Sequence, residues 1–273
     1  MIICDFHTHS NNSFDAENSV DEMCRAAISR GLSAIAVTDH CEAPCIKLGE
    51  DCEFGSFDRL IPQSIRDAYE AREKYRGELK VLCGMELGEP MHDPDQTEHA
   101  LAYGDFDFIL ASVHNLRGRD DFYYMDFSKN DVSLILQEYF DELAETALFP
   151  YFDSLSHLTY PLRYIYERTG SFPDLAPFKE QIENIFNILI ENNKALEINV
   201  SGLFKPMNTT LPPQELVTLF KKMGGKYITV GTDAHSSEMV GVGIERGLQV
   251  AKAAGFDYYT VYEKHTPRLI TIG

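Results

Sequence analysis

Histidine and carboxylate residues recur where the apolar runs of this sequence end. Two motifs carry paired candidates, Asp5-Phe6-His7-Thr8-His9 near the start and Gly231-Thr232-Asp233-Ala234-His235 much later. Single candidates follow the runs between them, namely His40, Glu86, His114 and His157. The carboxyl ends of parallel strands meet on one face of an α/β barrel, where active sites are built. The pattern therefore predicts a polynuclear metal centre and, with it, hydrolytic chemistry.

The spacing of the paired residues supports metal binding. His7 and His9 are two residues apart, as are Asp233 and His235, and side chains two apart on a strand lie on the same face. Imidazole and carboxylate groups are common ligands of transition metals. Asp5 shares the face of His7, so we expect its carboxylate to orient one of the imidazoles. Core packing is the usual role of a lone histidine, but it does not account for the whole set.

Composition narrows the choice of partner. The chain has 273 residues and a net charge of −19, which argues against a nucleic-acid groove because phosphate backbones select basic surfaces. A small phosphorylated substrate remains compatible, since divalent metals make a local site positive. Neither a signal peptide nor a run of about 18 apolar residues is visible. We therefore expect a cytoplasmic protein without a membrane partner, and the sequence does not indicate its oligomeric state.

Apolar runs alternate with amphipathic segments along the whole chain. Strands are predicted at 2–6, 33–38, 80–87, 106–113, 154–157, 195–200, 226–231 and 258–263. Helices are predicted near 20–30, 58–75, 95–103, 132–148 and 177–192, from Pro212 or Pro213 onward, and at 241–254. Ser19 and Glu22 have the spacing of a capping box at the start of the first helix. The alternation predicts one domain, residues 1–273, built as a barrel of seven or eight parallel strands wrapped by helices.

Taken in order, the histidine and carboxylate motifs resemble those of the polymerase-and-histidinol-phosphatase (PHP) superfamily. The matching motifs are Asp5-Phe6-His7-Thr8-His9-Ser10, Thr38-Asp39-His40, Gly84-Met85-Glu86, Ser112-Val113-His114, Ser156-His157 and Gly231-Thr232-Asp233-Ala234-His235. The length, and the absence of polymerase sequence, are most similar to the stand-alone histidinol-phosphate phosphatases of that superfamily. The resemblance implies an α/β fold, a distorted (β/α)7 TIM-like barrel, with three divalent metal ions, usually zinc, iron or manganese.

The resemblance also implies how the ligands divide among the three metals. One metal would take His7, His9, Glu86 and Asp233, and a second would share Glu86 and take His114 and His157. A third would take Asp15, His40 and His235. Many superfamily members have histidine where this chain has Asp15, and the harder carboxylate would shift the metal preference.

Three of these residues are the expected catalytic groups. Glu86 would bridge two metals, the arrangement that activates water for attack on a phosphate ester. Asp233 and His157 would complete the catalytic set, and the proton donor to the leaving alcohol is left open between Asp233 and a water molecule. The carboxylates of Asp15, Glu86 and Asp233 would only partly neutralise three divalent cations, which favours an anionic substrate.

Basic residues near the strand ends are candidates for binding the phosphate. Arg117 and Arg119 follow His114, and Arg163 follows His157 by six residues. Lys205 follows the sixth predicted strand. Arginine binds oxyanions through a bidentate fork, whereas a solvated surface position is the alternative for each of these side chains.

The substrate's organic part has fewer candidate contacts. Glu42 or Asp121 would pair with a substrate amine. Four aromatic residues would either cover a small ring or pack a lid loop: Phe122, Tyr123, Tyr124 and Phe127. The resemblance implies hydrolysis of L-histidinol phosphate to L-histidinol and phosphate in histidine biosynthesis.

Three other functions compete with this one. A phosphoesterase of the same superfamily would act on another phosphomonoester or a nucleotide. A metal-dependent amidohydrolase also begins with paired histidines, but it would need a lysine on the fourth strand, and 106–114 contains none. A metal-binding protein without activity is disfavoured because every ligand position is filled.

Overall fold

The computed structural model describes residues 2–45, 57–127 and 129–273. Within them a parallel sheet runs β1-β2-β4-β5-β6-β7-β8, and the short strand β3 pairs with β4. These strands are β1 Cys4–Thr8, β2 Ala34–Val37, β3 His40–Glu42, β4 Lys80–Gly88, β5 Phe108–Ser112, β6 Ser154–Leu155, β7 Ala195–Asn199 and β8 Ile228–Gly231. The sheet closes because Asp233 N donates to His7 O at 2.8 Å and His9 N donates to Ala234 O at 2.9 Å. The expected distorted barrel of seven parallel strands is confirmed.

Helices connect the strands and cover the outside of the barrel. They are α1 Val20–Ser29, α2 Phe57–Lys74, α3 Pro94–Leu101, α4 Val132–Ala147, α5 Pro161–Thr169, α6 Lys179–Glu191, α7 Gln214–Met223 and α8 Ile244–Ala253. The predicted capping box is present, since Ser19 Oγ accepts from Glu22 N at 3.3 Å and Glu22 Oε2 accepts from Ser19 N at 2.8 Å. In the part of the chain described, no helix is long and apolar enough to cross a membrane.

The strands are buried on both faces, as expected for a parallel sheet covered by helices. Every residue of β1, β2, β5 and β7 is buried. The rings of Phe6 and Phe108 meet edge to face inside the barrel, with centroids 5.2 Å apart. A polar side chain on such a strand therefore needs a specific partner, because its burial is otherwise costly.

The final strand differs from the sequence prediction. Segment 258–263 does form strand β9, Tyr258–Glu263, but it pairs antiparallel with β10, Thr266–Thr271, outside the barrel sheet. The turn between them places Lys264 and His265 at φ of 49° and 58°. Hairpin turns with positive φ usually carry Asn or Gly. Lys264 and His265 are neither, so the residue pattern did not predict a hairpin here.

The hairpin turn covers the amino-terminal end of the barrel. His265 N donates to Asp107 O at 2.9 Å, and His265 Nδ1 lies 2.9 Å from Asp153 Oδ2. Asp107 and Asp153 directly precede β5 and β6, so the turn lies opposite the strand ends that carry the candidate ligands.

Two further elements are absent from the prediction. Helix α5 begins at Pro161, where only an irregular connection was expected; proline suits the first helical position because its φ is already helical. Strand β3 spans three residues, too few for hydrophobic periodicity to reveal.

Candidate metal centre

Glu86, near the carboxyl end of β4, lies at the centre of the predicted ligands. Its Oε2 lies within 3.5 Å of a ring nitrogen of three histidines, and its Oε1 lies within 3.2 Å of a ring nitrogen of two others. The three are His7, His9 and His40, and the two are His114 and His157. This position suits a carboxylate that bridges metal ions.

Asp233 follows β8 and completes the first expected ligand set. It has a φ of 57°, and its Oδ1 lies 3.6 Å from His7 Nε2 and 3.3 Å from His9 Nε2. The ligand atoms of His7, His9 and Asp233 all lie within 4.8 Å of one another. The structure therefore brings the two ends of the motif series together across the closure between β1 and β8.

The second set lies on the other side of Glu86. His114 Nε2 and His157 Nε2 are 3.4 Å apart, and each faces Glu86 Oε1. Ligand atoms of His7, Glu86 and His157 also fall within 4.8 Å of one another. The first and second sets are thus adjacent, as a bridged pair of metals requires.

The third set gathers around Asp15. His235 Nε2 lies 3.1 Å from Asp15 Oδ2, and His40 Nε2 lies 3.7 Å from Asp15 Oδ1. The rings of His40 and His235 each stack against His9 with centroids 4.2 Å apart. The carboxylate of Asp15 therefore reaches the same cluster as the two histidines.

Several buried ligand atoms lack a hydrogen-bond partner among the described residues. These atoms are His7 Nε2, His9 Nε2, His40 Nδ1 and Glu86 Oε2. A buried polar atom without a partner costs free energy, and here the orphaned nitrogens surround a carboxylate oxygen. Divalent cations would satisfy Nε2 of His7, Nε2 of His9 and Oε2 of Glu86, so the residues present fit a metal cluster.

The charges of the site also indicate cation binding. Burial alone would raise the pKa of Glu86 and of Asp233, but the neighbouring histidines hold both well below their usual range. Burial would lower the pKa of His40, yet Glu86, Glu42 and Asp15 raise it to about 9. The cluster therefore attracts protons at positions where metals would compete with them.

Glu197 is a site residue that the sequence analysis missed. It lies on β7, its Oε1 is 2.7 Å from His7 Nδ1, and its Oε2 accepts from His157 N at 2.8 Å. A carboxylate on the far ring nitrogen fixes the orientation of a ligating histidine. Its signal was a lone charged residue in the buried run Ala195–Asn199, since such residues are rarely buried without a partner.

Asp5 does not orient an imidazole, so that expectation was wrong. Its carboxylate accepts from Thr232 N at 2.9 Å, Thr232 Oγ1 at 2.6 Å and Gly241 N at 2.8 Å. The pairing of β1 with β2 changes register between Asp5 and Thr8, which interrupts the alternation that would place Asp5 on the face of His7. Asp5 fixes the segment that carries Asp233 instead.

The candidate phosphate-binding residues are distributed unevenly. The side chain of Arg163 is only 12% exposed, and its Nη2 lies 3.3 Å from Asp233 Oδ2. Arg117 is paired with Glu145 at 2.7 Å and Arg119 with Glu138, both acidic residues of α4. Of these arginines, Arg163 reaches a predicted metal ligand.

Two cavities adjoin the cluster at His114. Arg117 and Arg119 line one of about 480 Å³. The other, about 390 Å³, has aromatic and acidic walls that include Tyr123, Tyr124, Tyr160, Tyr164 and Asp121. Glu42 and His114 line both cavities.

Other predicted contacts lie elsewhere. Phe122 and Phe127 are buried in the hydrophobic core and do not line the aromatic cavity. Lys205 is exposed after a short 3-10 helix, Ser201–Phe204. Tyr160 and Tyr164 belong to the cavity wall because the unpredicted helix α5 carries or adjoins them.

Comparison with known proteins places these residues in a family. A model of the PHP domain matches residues 5–201. The chain is 28% identical over 263 residues to a histidinol-phosphatase of Lactococcus lactis, covering 92% of this chain and 91% of that protein. It is 28% identical over 272 residues to a probable histidinol-phosphatase of Thermotoga maritima, covering 98% of each. These full-length matches extend past the PHP match to include Asp233 and His235.

The fold agrees with a solved structure. A histidinol phosphate phosphatase from Lactococcus lactis, crystallised with zinc, L-histidinol and phosphate, superposes with a TM-score of 0.79 at 24% identity. The match covers 97% of this chain and 98% of that chain, so the likeness includes the whole barrel.

Proposed function

This chain belongs to the PHP domain family, and from that premise we propose that it is a metal-dependent phosphomonoesterase that hydrolyses L-histidinol phosphate to L-histidinol and phosphate. The reaction would be a step of histidine biosynthesis. The observation that carries the proposal is the convergence of five imidazoles on the two oxygens of Glu86. The full-length similarity to histidinol-phosphatases supports the choice of substrate.

We assign three divalent cations, zinc, iron or manganese, to the cluster. His7, His9, Glu86 and Asp233 would hold one of them. The remaining ligands would hold the other two, Glu86 with His114 and His157, and Asp15 with His40 and His235. When bound, such metals lower the pKa of water and neutralise charge on a phosphate ester.

The chain's own residues would bind and orient the phosphate. Arg163 is largely buried beside Asp233, and its Nε has no hydrogen-bond partner among the described residues. That N–H is a donor available to a phosphate oxygen, and charge-assisted bonds from arginine are strong. The other basic candidates would act on the phosphate at most through long-range electrostatic attraction. Arg117 and Arg119 are paired with carboxylates of α4, and Lys205 is exposed.

Asp233 is unsuited to protonating the leaving alcohol. Its pKa lies well below the usual value, since the charges of His7, His235 and Arg163 outweigh the effect of burial, so it is ionised at neutral pH. A general acid works best with a pKa near the operating pH. Of the two alternatives, a water molecule is therefore the better proton donor.

The aromatic cavity of about 390 Å³ would take the organic part of the substrate. Ligand sites typically measure about 300–1,000 Å³ and combine apolar walls with a few polar groups. Tyr123, Tyr124, Tyr160 and Tyr164 would contact the imidazole ring, and Asp121 would pair with the ammonium group.

A panel of phosphomonoesters, assayed with added zinc or manganese, tests this function. The proposal predicts the highest kcat/KM for L-histidinol phosphate, with nucleoside monophosphates and phenyl phosphate well below it. Glu86→Gln is the control for contaminating phosphatases, because it should lose activity on every ester. A preference for a nucleotide would overturn the choice of substrate and favour the alternative phosphoesterase of the same superfamily.

A further inference from the structure

Glu42 occupies an unusual position between the ligands of two metal sites. It lies on β3 two residues after His40, so both side chains lie on the same face of the strand. Its Oε1 lies 3.2 Å from His40 Nδ1 and 3.3 Å from His114 Nδ1. His40 belongs to the third ligand set and His114 to the second, so one carboxylate contacts both.

The Nε2 atoms of both rings face other candidate ligands. His114 Nε2 faces Glu86 Oε1 at 3.2 Å, and His40 Nε2 faces Asp15 Oδ1 at 3.7 Å. His40 Nδ1 lies 3.2 Å from Glu86 Oε2 as well as from Glu42 Oε1. A ligating histidine usually gives its second N–H to a carboxylate or carbonyl, which fixes the tautomer and the ring orientation. Glu42 Oε1 lies within reach of the Nδ1 atoms of both rings, at 3.2 Å from that of His40 and 3.3 Å from that of His114.

The neighbouring strand provides the space for this carboxylate. Register pairs Glu42 on β3 with Gly88 on β4. A Cβ added at Gly88 would lie 2.7 Å from Glu42 Cδ and closer still to Oε2. Any larger residue at position 88 would therefore displace the carboxylate.

Glu197 on β7 makes a comparable pair of contacts with two other histidines of the cluster. It contacts His7 Nδ1 and the backbone N of His157, which belong to the first and second ligand sets. Glu42 therefore contacts histidines of the second and third ligand sets, and Glu197 contacts histidines of the first and second.

We propose that Glu42 is a positioning residue that holds His40 and His114 together, so that loading of the second and third metal positions is linked. This inference rests on the ligand assignment of the proposed function, but it does not depend on the identity of the substrate. Losing such an outer partner typically weakens metal affinity by about 10–100-fold.

The test measures metal binding directly. Apo-protein prepared by chelation is titrated with Zn²⁺ against a competing chelator, and anomalous scattering from crystals shows which positions are filled. Glu42→Leu should weaken the second and third positions by about 10–100-fold and leave the first near wild type. Glu42→Gln keeps an acceptor oxygen and should recover part of the loss.

Three further variants separate positioning from other roles. Gly88→Ala should reproduce the Glu42→Leu pattern without changing Glu42, and it serves if Glu42→Leu does not fold. Glu197→Leu should weaken the first and second positions and spare the third. Asp121→Asn, which changes another acid of the same cavity wall, should leave the affinity at all positions unchanged.

Two results would overturn the inference. Wild-type Zn²⁺ affinity in both Glu42→Leu and Gly88→Ala, with only KM raised, would make Glu42 a substrate contact. One ligand atom each of His40, Glu42 and His114 lie within 4.8 Å of one another. An anomalous peak among these three side chains would make Glu42 a metal ligand. If the wild-type protein hydrolysed no phosphoester, the proposed function would fail while these titrations still decided the role of Glu42.

Discussion

The guanidinium of Arg163 lies 3.3 Å from Oδ2 of Asp233, so a largely buried cation contacts one of the candidate metal ligands. The contact joins the start of α5 to the turn after β8. It leaves Arg163 Nε without a hydrogen-bond partner in the described part of the chain. A phosphate oxygen would complete its bonding, which makes this arginine the strongest candidate for binding the phosphate.

Replacing Arg163 should therefore impair the reaction without emptying the metal sites. We expect Arg163→Met to lower kcat/KM for phosphomonoesters by about 100–1,000-fold, the usual cost of removing one donor to a developing oxyanion. Arg163→Lys keeps the charge but loses the fork, so its loss should be smaller. Steady-state kinetics at saturating Zn²⁺ measure both; unchanged kcat/KM in Arg163→Met would exclude the role.

Removing the metals should destabilise the fold as well as stop the reaction. The cluster is buried and its orphaned nitrogens would lose their partners. Metal at about 100 times its Kd contributes about 2.7 kcal/mol, or about 5–10 °C in Tm for a chain of this size. Differential scanning fluorimetry with and without EDTA measures the shift, and added Zn²⁺ should restore it. An unchanged Tm would argue that no metal binds this cluster.

Asp121 should contribute to selectivity for a substrate with an amine. We expect Asp121→Asn to raise KM for L-histidinol phosphate by about 10-fold, since hydrogen bonds to charged groups are worth about 1.5–3 kcal/mol and solvent weakens this one. KM for phenyl phosphate, which has no amine, should stay the same. Asp120→Asn, an exposed neighbour, is the matched control. Equal effects on both substrates would contradict amine recognition.

The turn at the amino-terminal end of the barrel should make stability depend on pH. Hydrogen bonding to Asp153 raises the pKa of His265. A raised folded-state pKa gives stabilisation that is fully present below the unfolded-state pKa and is lost as pH rises through the folded-state value. The ring is half exposed, so the contribution should be below about 1 kcal/mol.

Denaturant unfolding at pH 6 and pH 9 tests this contribution. His265→Asn suits the turn, because asparagine tolerates the positive φ, and it removes the titrating ring. We expect the variant to be less stable than the wild type at pH 6 and to approach it at pH 9. An identical difference at both pH values would show that the ion pair does not contribute.

The gathering of the candidate ligands was predictable mainly from one rule, that parallel strands deliver their carboxyl ends to one face. Strand alternation does not account for the paired residues, because β1 changes register between Asp5 and Thr8 and Asp233 follows β8 with a φ of 57°. The strand-end position of each motif is visible in the sequence, so the cluster could be predicted without knowing the distance between any two ligands.

The surrounding contacts were not predictable in the same way. Glu42 acts from a strand of three residues, and Glu197 was hidden in an otherwise apolar run. Arg117 and Arg119 look equivalent to Arg163 in sequence, yet Glu145 and Glu138 of α4 pair with them. Partners of this kind come from distant segments, so only the folded chain distinguishes the three arginines.

Anomalous scattering at the zinc edge, from a crystal grown with Zn²⁺ and phosphate, would locate any ions in the cluster. We expect ions around Glu86, held by His7, His9 and Asp233, by His114 and His157, and by Asp15, His40 and His235, with phosphate in contact with Arg163. A map without ions between His7, His114 and His235, collected at the zinc edge from crystals that bind phosphate, would contradict this expectation.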